Sequence, residues 1–308
     1  MWTDQRTGRF GAGVVARTMP NLCYTFTQVG LETLRWADSS GVPSIVESPN
    51  GGLRAFRQVY LGESSHWCDG RYRGHPTPGM VSRVDEELAL ARRVRVSSQW
   101  AADSLVAGGV ESSRVTSLQQ PVDLEWYRCP PLENSKGPLK VCCVGSLDLR
   151  KGFVYLLRAI RSLGAQVPIR LRFVGATGDR CSSRVLAREQ QGLDVSVAPG
   201  DPREALAEAE LFALPTLEDG SPFAVAEAMA CARPVLTTTS TGAAEWVRPG
   251  ETGWLVPPRS AADLATALAS AVEARHGLRQ MGEMARVEVE RRAGPHCDQA
   301  VADWVLAW

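Results

Sequence analysis

Residues 139–175 read LKVCCVGSLDLRKGFVYLLRAIRSLGAQVPIRLRFVG, and the fold follows from this stretch. An apolar run, 139–144, meets a glycine and a basic loop. A second segment, 153–163, places its apolar residues at helical spacing, and a further apolar run closes the unit. Outward from it the alternation continues. DVSVA (194–198), ELFALP (210–215), PVLTT (234–238) and GWLVP (253–257) read as strands. REALAEAE (203–210), AVAEAMACA (224–232) and AADLATALASAV (261–272) read as helices. Short runs that are apolar throughout, rather than alternating, suit strands buried on both faces. Strand, helix, strand in this order predicts an α/β fold with a parallel sheet covered on both sides.

The first half shows the same alternation less completely. LCYTF (22–26), VPSIVES (42–48), VRVSS (94–98) and RVTSLQ (114–119) read as strands. LETLRWADSS (31–40), ELALARR (87–93) and AADSLVAGG (101–109) read as helices. CPPLENSKGP (129–138) has the Pro, Gly and polar content of a linker. The expected organisation is a partial Rossmann-like domain over 1–128, a linker over 129–138, a second Rossmann-like domain over 139–295 and a terminal helix over 296–308. A chain of 308 residues is long enough for two such cores.

Composition narrows the function classes. Lys+Arg and Asp+Glu both total 34, so no global charge points to nucleic acid. Eight cysteines carry no C-x-x-C spacing and the four histidines no metal spacing, so reduced thiols and no metal site are expected. Cys142 and Cys143 read as small buried hydrophobes. No apolar stretch is long enough to span a bilayer, and MWTDQRTGRFGAGVV lacks the layout of a signal peptide. The expected location is cytoplasmic, with peripheral contact at the inner face of a membrane left open.

In a parallel sheet ligands gather at the carboxyl ends of strands. Three loops there are polar. In LPTLEDGSPFAVAEAMACA (214–232), Ser221 and Pro222 have N-cap and N1 character, and a helix start with free backbone N–H groups suits a phosphate. Asp219 and Glu227 lie seven residues apart by intervening count, the first in the loop and the second beside the apolar helix face. In VGSLDLRKG (144–152), Arg150 and Lys151 have the charge for a diphosphate. In TSTGAAEW (239–246), Gly242 permits close approach and Glu245 is a further polar candidate. From spacing alone, a turn aspartate and solvated surface charges explain these residues equally well.

The segment EDGSPFAVAEAMACARPVLTTTSTGAAEWVRPGETGWLVPP, with VGSLDLRKGFVYLLRAI before it, resembles the donor-binding core of the family 4 glycosyltransferases, retaining enzymes of GT-B fold. The resemblance runs from Leu139 to Ala274. A weaker one, through ELALARRVRVSSQWAADSLVAGGVESSRV, is similar to the last strand–helix–strand unit of that family's N-terminal domain. It implies a GT-B-like fold of two Rossmann-like domains with parallel sheets, and a nucleotide-diphosphate sugar as substrate without a metal cofactor. It implies that Asp219 stands near the reacting sugar and that Glu227 holds the ribose hydroxyls. Lys151, with Arg150, would bind the diphosphate, with backbone amides from Gly220, Ser221, Pro222 and Phe223. Gly145 and Glu245 would line the donor site.

The chain departs from the family pattern at several points. Asp219 replaces a glutamate one methylene longer, with Glu218 as its neighbouring carboxylate. Ser146 stands where many members have a second base, and Glu47 closes a strand where many relatives place a histidine. Gly8, Gly11 and Gly13 follow no strand-like run, so the chain is expected to begin midway through the N-terminal domain. The expected activity is transfer of a sugar, with retention, to an unidentified glycan, lipid-linked or small-molecule acceptor. The alternatives are nucleotide-sugar binding without turnover and a GT-B-fold epimerase. The RRVR run at 92–95 offers a basic surface, though its place at a helix–strand junction favours a structural role.

Overall fold

In the computed structural model, which describes residues 2–68, 75–133 and 136–307, all strand pairings are parallel. Two sheets form, each within its own unit. One unit groups Met1–Val59, Gly74–Gln119 and Asp219–Ser221; the other groups Tyr60–Arg73, Gln120–Glu218 and Pro222–Trp308.

The first unit holds α1 (Trp2–Thr18), β1 (Cys23–Phe26), α2 (Leu31–Ser39), β2 (Ser44–Glu47), the start of α3 (Leu53–Cys68), α4 (Pro78–Leu90), β3 (Arg93–Val96), α5 (Gln99–Ala107) and β4 (Val115–Ser117). Its sheet order is β1-β2-β3-β4. Val46, Val94 and Val96 are fully buried and pack with Leu34, Val84, Leu88 and Leu105 from three helices. Helix α2 starts at Gly30, which has no capping side chain. The fully buried Glu87 of α4 supplies the acceptors instead, taking the N–H groups of Gly30 and Leu31 at 3.0 Å each. A carboxylate at a helix N-terminus is favoured by the dipole there. Burial nevertheless pushes Glu87 above its ordinary range, against three backbone donors and Arg83.

Helix α1 is absent from the sequence reading, because Gly8, Gly11 and Gly13 weaken its helical signal. Two of those glycines allow close approach. A Cβ at Gly8 would meet Glu32 Oε2 at 1.9 Å, and one at Gly11 would meet Thr33 Oγ1 at 2.9 Å, both on α2.

The second unit holds β5 (Leu139–Val144), α6 (Phe153–Leu163), β6 (Ile169–Val174), α7 (Arg180–Glu189), β7 (Val195–Ala198), α8 (Pro202–Glu208), β8 (Leu211–Leu214), α9 (Phe223–Ala230), β9 (Val235–Thr238), β10 (Gly253–Val256), α10 (Ala261–Glu273), α11 (Leu278–Ala293) and α12 (His296–Leu306). Its sheet order is β10-β9-β8-β5-β6-β7. The chain therefore winds one way from β5 to β7, then returns to build the other half from β8. The β5/β8 boundary is the switch point at which such sheets open a crevice. Phe153, Phe173 and Phe212 are fully buried around it, each contributing about 1.5–3 kcal/mol.

Gly152 sets the register between the loops after β5 and β8. Its φ is 70°, and a Cβ there would lie 2.0 Å from Pro215 O. Arg233, 0% exposed, ties the opposite side together. Its Nε donates to Leu206 O at 2.6 Å, and its Nη2 to Ala207 O at 3.0 Å and Pro130 O at 2.9 Å. Burial holds its guanidinium below the usual arginine range.

The cysteines differ from expectation. Cys68 and Cys181 are joined in a disulfide with Cα atoms 6.1 Å apart, which corrects the reading of all eight as reduced thiols. Helical position, not local spacing, brings them together. Cys142 and Cys143 are buried in β5, and burial pushes Cys142 up to about 12. No described helix is long and apolar enough to cross a membrane.

Two substitutions test this account. Gly152→Ala meets both positive φ and a main-chain oxygen, so chemical denaturation should show a loss of about 2 kcal/mol or more. Arg233→Ala strips several buried carbonyls of their donor, with an expected loss of about 3 kcal/mol at unchanged m-value. Near-native stability in either variant contradicts the packing described.

Candidate functional site

The loop after β5 is built from its own polar residues. Gly145, with φ 134°, donates its N–H to Val174 O at 3.0 Å. Ser146 Oγ donates to Asp148 Oδ2 at 2.7 Å, and Asp148 Oδ1 accepts from Lys151 N at 3.2 Å. Asp148 thereby caps a 3-10 turn over Leu149–Lys151 and presents Arg150 and Lys151 as consecutive residues before α6. Ser146 serves this loop as a hydrogen-bond donor.

The loop after β8 folds onto the first. Leu217 N donates to Arg150 O at 2.8 Å, and Thr216 Oγ1 bonds Arg150 O at 3.3 Å and Glu218 O at 3.2 Å. Arg150 returns the contact, its Nη1 lying 2.5 Å from Glu218 O and 3.5 Å from Glu218 Oε2. Glu218 is 2% exposed. Arg150 is thus held at the switch point by a carbonyl and a buried carboxylate. Removing either partner alone would leave a buried charge in poor surroundings.

Helix α9 begins at Phe223, with Pro222 at its N-cap and no capping side chain. The expected capping by Ser221 is corrected: Ser221 groups by its contacts with the first unit, not with this helix. Pro222 is buried, whereas Phe223 is exposed. One turn on, Glu227 is half-buried and bonded to the Tyr127 side chain. Burial pushes the Glu227 carboxyl above its ordinary range, and the Tyr127 bond works against that. Burial and the nearby carboxylate raise the Tyr127 phenol.

The third loop forms a five-residue 3-10 helix, Gly242–Trp246, capped by Thr241. Glu245 is half-buried within it. In sheet order β9, β8 and β5 are neighbours. The second unit therefore brings Gly145, Arg150, Lys151, Glu218, Pro222, Phe223 and Glu245 to the ends of three adjacent strands, with Glu227 further along α9.

Asp219, Gly220 and Ser221 belong to the first unit. There Ser98 Oγ, at the start of α5, donates to Gly220 O at 2.5 Å. A Cβ at Gly220 would lie 2.2 Å from Pro49 O. Glu47, at the end of β2, is 3% exposed and occupied. Arg95 Nη1 approaches its Oε2 at 2.6 Å and Tyr24 OH donates to the same oxygen at 2.5 Å. Arg95 is the last residue of the RRVR run, so that run is partly interior rather than a wholly basic surface.

Sequence reasoning missed Tyr127, Ser98 and the Arg95–Glu47 pair. Tyr127 lies in an irregular stretch that carries no pattern. Arg95 did leave a signal: a charge between two buried valines in a strand needs a buried partner.

Residues 138–274 match the family model described as glycosyl transferases group 1. Over 186 residues the chain is 31% identical to a Salmonella typhimurium protein named as a colanic acid biosynthesis glycosyltransferase, WcaL, covering 56% of this chain and 46% of that one. Over 213 residues it is 25% identical to the amylovoran biosynthesis glycosyltransferase AmsK of Erwinia amylovora, covering 65% and 52%. The chain spans about half the length of the curated relatives it matches. Among solved structures, Anabaena HepE in complex with UDP and glucose superposes with a TM-score of 0.78 at 18% identity, over 96% of this chain and 81% of that one. Sucrose-phosphate synthase of Thermosynechococcus elongatus gives 0.75 at 18% identity, over 96% and 76%. The fold is the two-sheet α/β GT-B fold of those structures, and residues 138–274 are similar to the glycosyl transferases group 1 model.

Proposed function

We propose that this chain binds a nucleotide-diphosphate sugar and transfers its sugar to an acceptor with retention of anomeric configuration. The observation that carries the reading is the meeting of the Arg150–Lys151 loop and the Glu218 loop at the β5/β8 switch point, inside the segment that matches the family. Structural neighbours crystallised with UDP and with UDP-glucose support a uridine donor. Relatives named for exopolysaccharide synthesis support a saccharide acceptor.

In this reading Lys151 and Arg150 stabilise the diphosphate as it departs, the largest contribution such a site makes. Arg150 is pre-set by Glu218, so little reorganisation accompanies the charge. The Phe223 backbone N–H at the start of α9 adds to the anion site, and Gly145 allows close approach. Asp219 stands near the reacting sugar, and Glu245 lines the nucleotide end. Glu227 receives the ribose hydroxyls. An ionised carboxylate has about four lone-pair positions, and Tyr127 uses one, so a vicinal diol can still be accepted.

Thermal unfolding against UDP-, GDP- and ADP-sugars tests the donor site. A donor at about 100 times its dissociation constant adds about 2.7 kcal/mol, and each kcal/mol raises the midpoint by about 2–4 °C in a protein of this size. The expected result is a shift with UDP-glucose that Glu227→Ala abolishes relative to its own unliganded midpoint. A well-folded chain that no nucleotide sugar stabilises overturns the reading.

Glu227 also carries a pH signature. Its folded-state carboxyl is raised, so as pH climbs past the ordinary carboxylate range the unfolded chain gives up this proton first. Wild type should therefore lose stability relative to Glu227→Gln over that rise, the two matching at acid pH. A gap that stays constant with pH contradicts the burial assigned to this carboxylate.

A further inference from the structure

Residues 122–130 run as an irregular strap through the second unit, fastened along their length. Val122 N donates to Ala293 O at 2.9 Å and Arg286 Nη1 to Leu124 O at 2.9 Å. The Arg203 guanidinium sits 3.7 Å over the Trp126 ring, and Arg233 Nη2 holds Pro130 O. Two strap side chains reach α9 and its end. Tyr127 meets Glu227, and Cys129 Sγ lies 2.6 Å from Cys231 Sγ. Tyr127 closes a turn in which its N–H donates to Asp123 O at 3.0 Å, Cys129 follows two residues on, and Glu227 and Cys231 are one helical turn apart. The two contacts join the same two segments.

The two sulfurs differ in access. Cys129 is half-buried, whereas Cys231 is fully buried. The sulfur contact itself, together with Arg233 and Arg203, lowers the Cys129 thiol to about 7 despite burial and Asp201. The same contact and burial raise Cys231. A half-buried thiol in contact with a fully buried one is the arrangement in which the accessible sulfur attacks and the other resolves.

We propose that Cys129 and Cys231 are a reversible dithiol–disulfide site that uses a small-molecule disulfide as co-reactant and, when closed, fastens residues 127–129 to α9 beside Glu227. The Cys129 thiolate attacks one sulfur of the small disulfide. The S–S bond of that molecule breaks, one thiolate leaves, and a mixed disulfide forms on Cys129. Cys231 then passes its proton to the medium, attacks Cys129 Sγ and expels the second thiolate. The protein dithiol is oxidised by two electrons, the small disulfide is reduced to two thiols, and excess thiol reverses both steps. Closure requires an approach of only about half an ångström to reach the bonded distance of about 2.05 Å.

The site is independent of the Cys68–Cys181 bond and of the proposed transferase reading, and its readout is covalent. The whole chain, reduced and folded, is incubated with oxidised glutathione, quenched in acid, alkylated and peptide-mapped by mass. The expected result is a Cys129–Cys231 linked peptide, with alkylatable thiols falling from eight to four as this pair and Cys68–Cys181 both close. Cys129→Ser should lose this peptide and keep the Cys68–Cys181 peptide as an internal control. Cys231→Ala should accumulate a stable glutathione adduct on Cys129. The proposal is overturned if Cys129 stays fully alkylatable while Cys68–Cys181 closes. A glutathione adduct persisting on Cys129 of the unaltered chain overturns it equally.

Discussion

The second unit depends on how two loops meet where its sheet changes winding direction. Strands β5 and β8 are neighbours in space but distant in sequence, so nothing local fixes the loops that follow them. The meeting is fixed by Arg150, whose guanidinium reaches both the carbonyl and the carboxylate of Glu218, and by Gly152, whose missing Cβ lets the Pro215 carbonyl approach. Each half needs the other. Without the glycine the loops stand apart, and without the arginine a nearly buried glutamate loses its counter-charge. The same constraint that closes the fold places Arg150 and Lys151 at the strand ends, so the residues that pack the loops are also those proposed to meet the diphosphate.

Several buried charges elsewhere are matched by backbone or by opposite charge rather than left to solvent. Glu87 takes the open N–H groups at the start of α2, and Arg233 feeds carbonyls at the end of α8 and in the 122–130 strap. Glu47 and Arg95 neutralise one another inside the first sheet, with Tyr24 adding a donor. Such groups contribute little net stability but penalise misplacement strongly, because an unmatched partner keeps its full desolvation cost. They specify where helices begin and end.

Much of this was legible in the sequence. Parallel strands covered on both faces give unbroken apolar runs, and Leu139–Val144, Leu211–Leu214 and Val235–Thr238 carry them. Glycine punctuation marked the Arg150–Lys151 loop for the same reason that the fold needs it. Helix α1 was not legible, because its helicity comes from packing on α2 rather than from propensity. Ser221 carries the composition of a cap, yet the contacts of 219–221 lie with the other unit. Tyr127 and Cys129 were hidden because their partners come from a helix formed far later in the chain. Pairings of that kind are set by topology, which a single sequence encodes only indirectly.

The Cys68–Cys181 bond has a further consequence, for the unfolded chain rather than the folded one. It joins residues 113 positions apart, so a chain that unfolds with the bond intact remains a large ring. In the loop-entropy picture a ring of that size removes about 5 kcal/mol of disorder from the denatured state. Redox conditions thus become a thermodynamic variable of this protein, as temperature or denaturant would be.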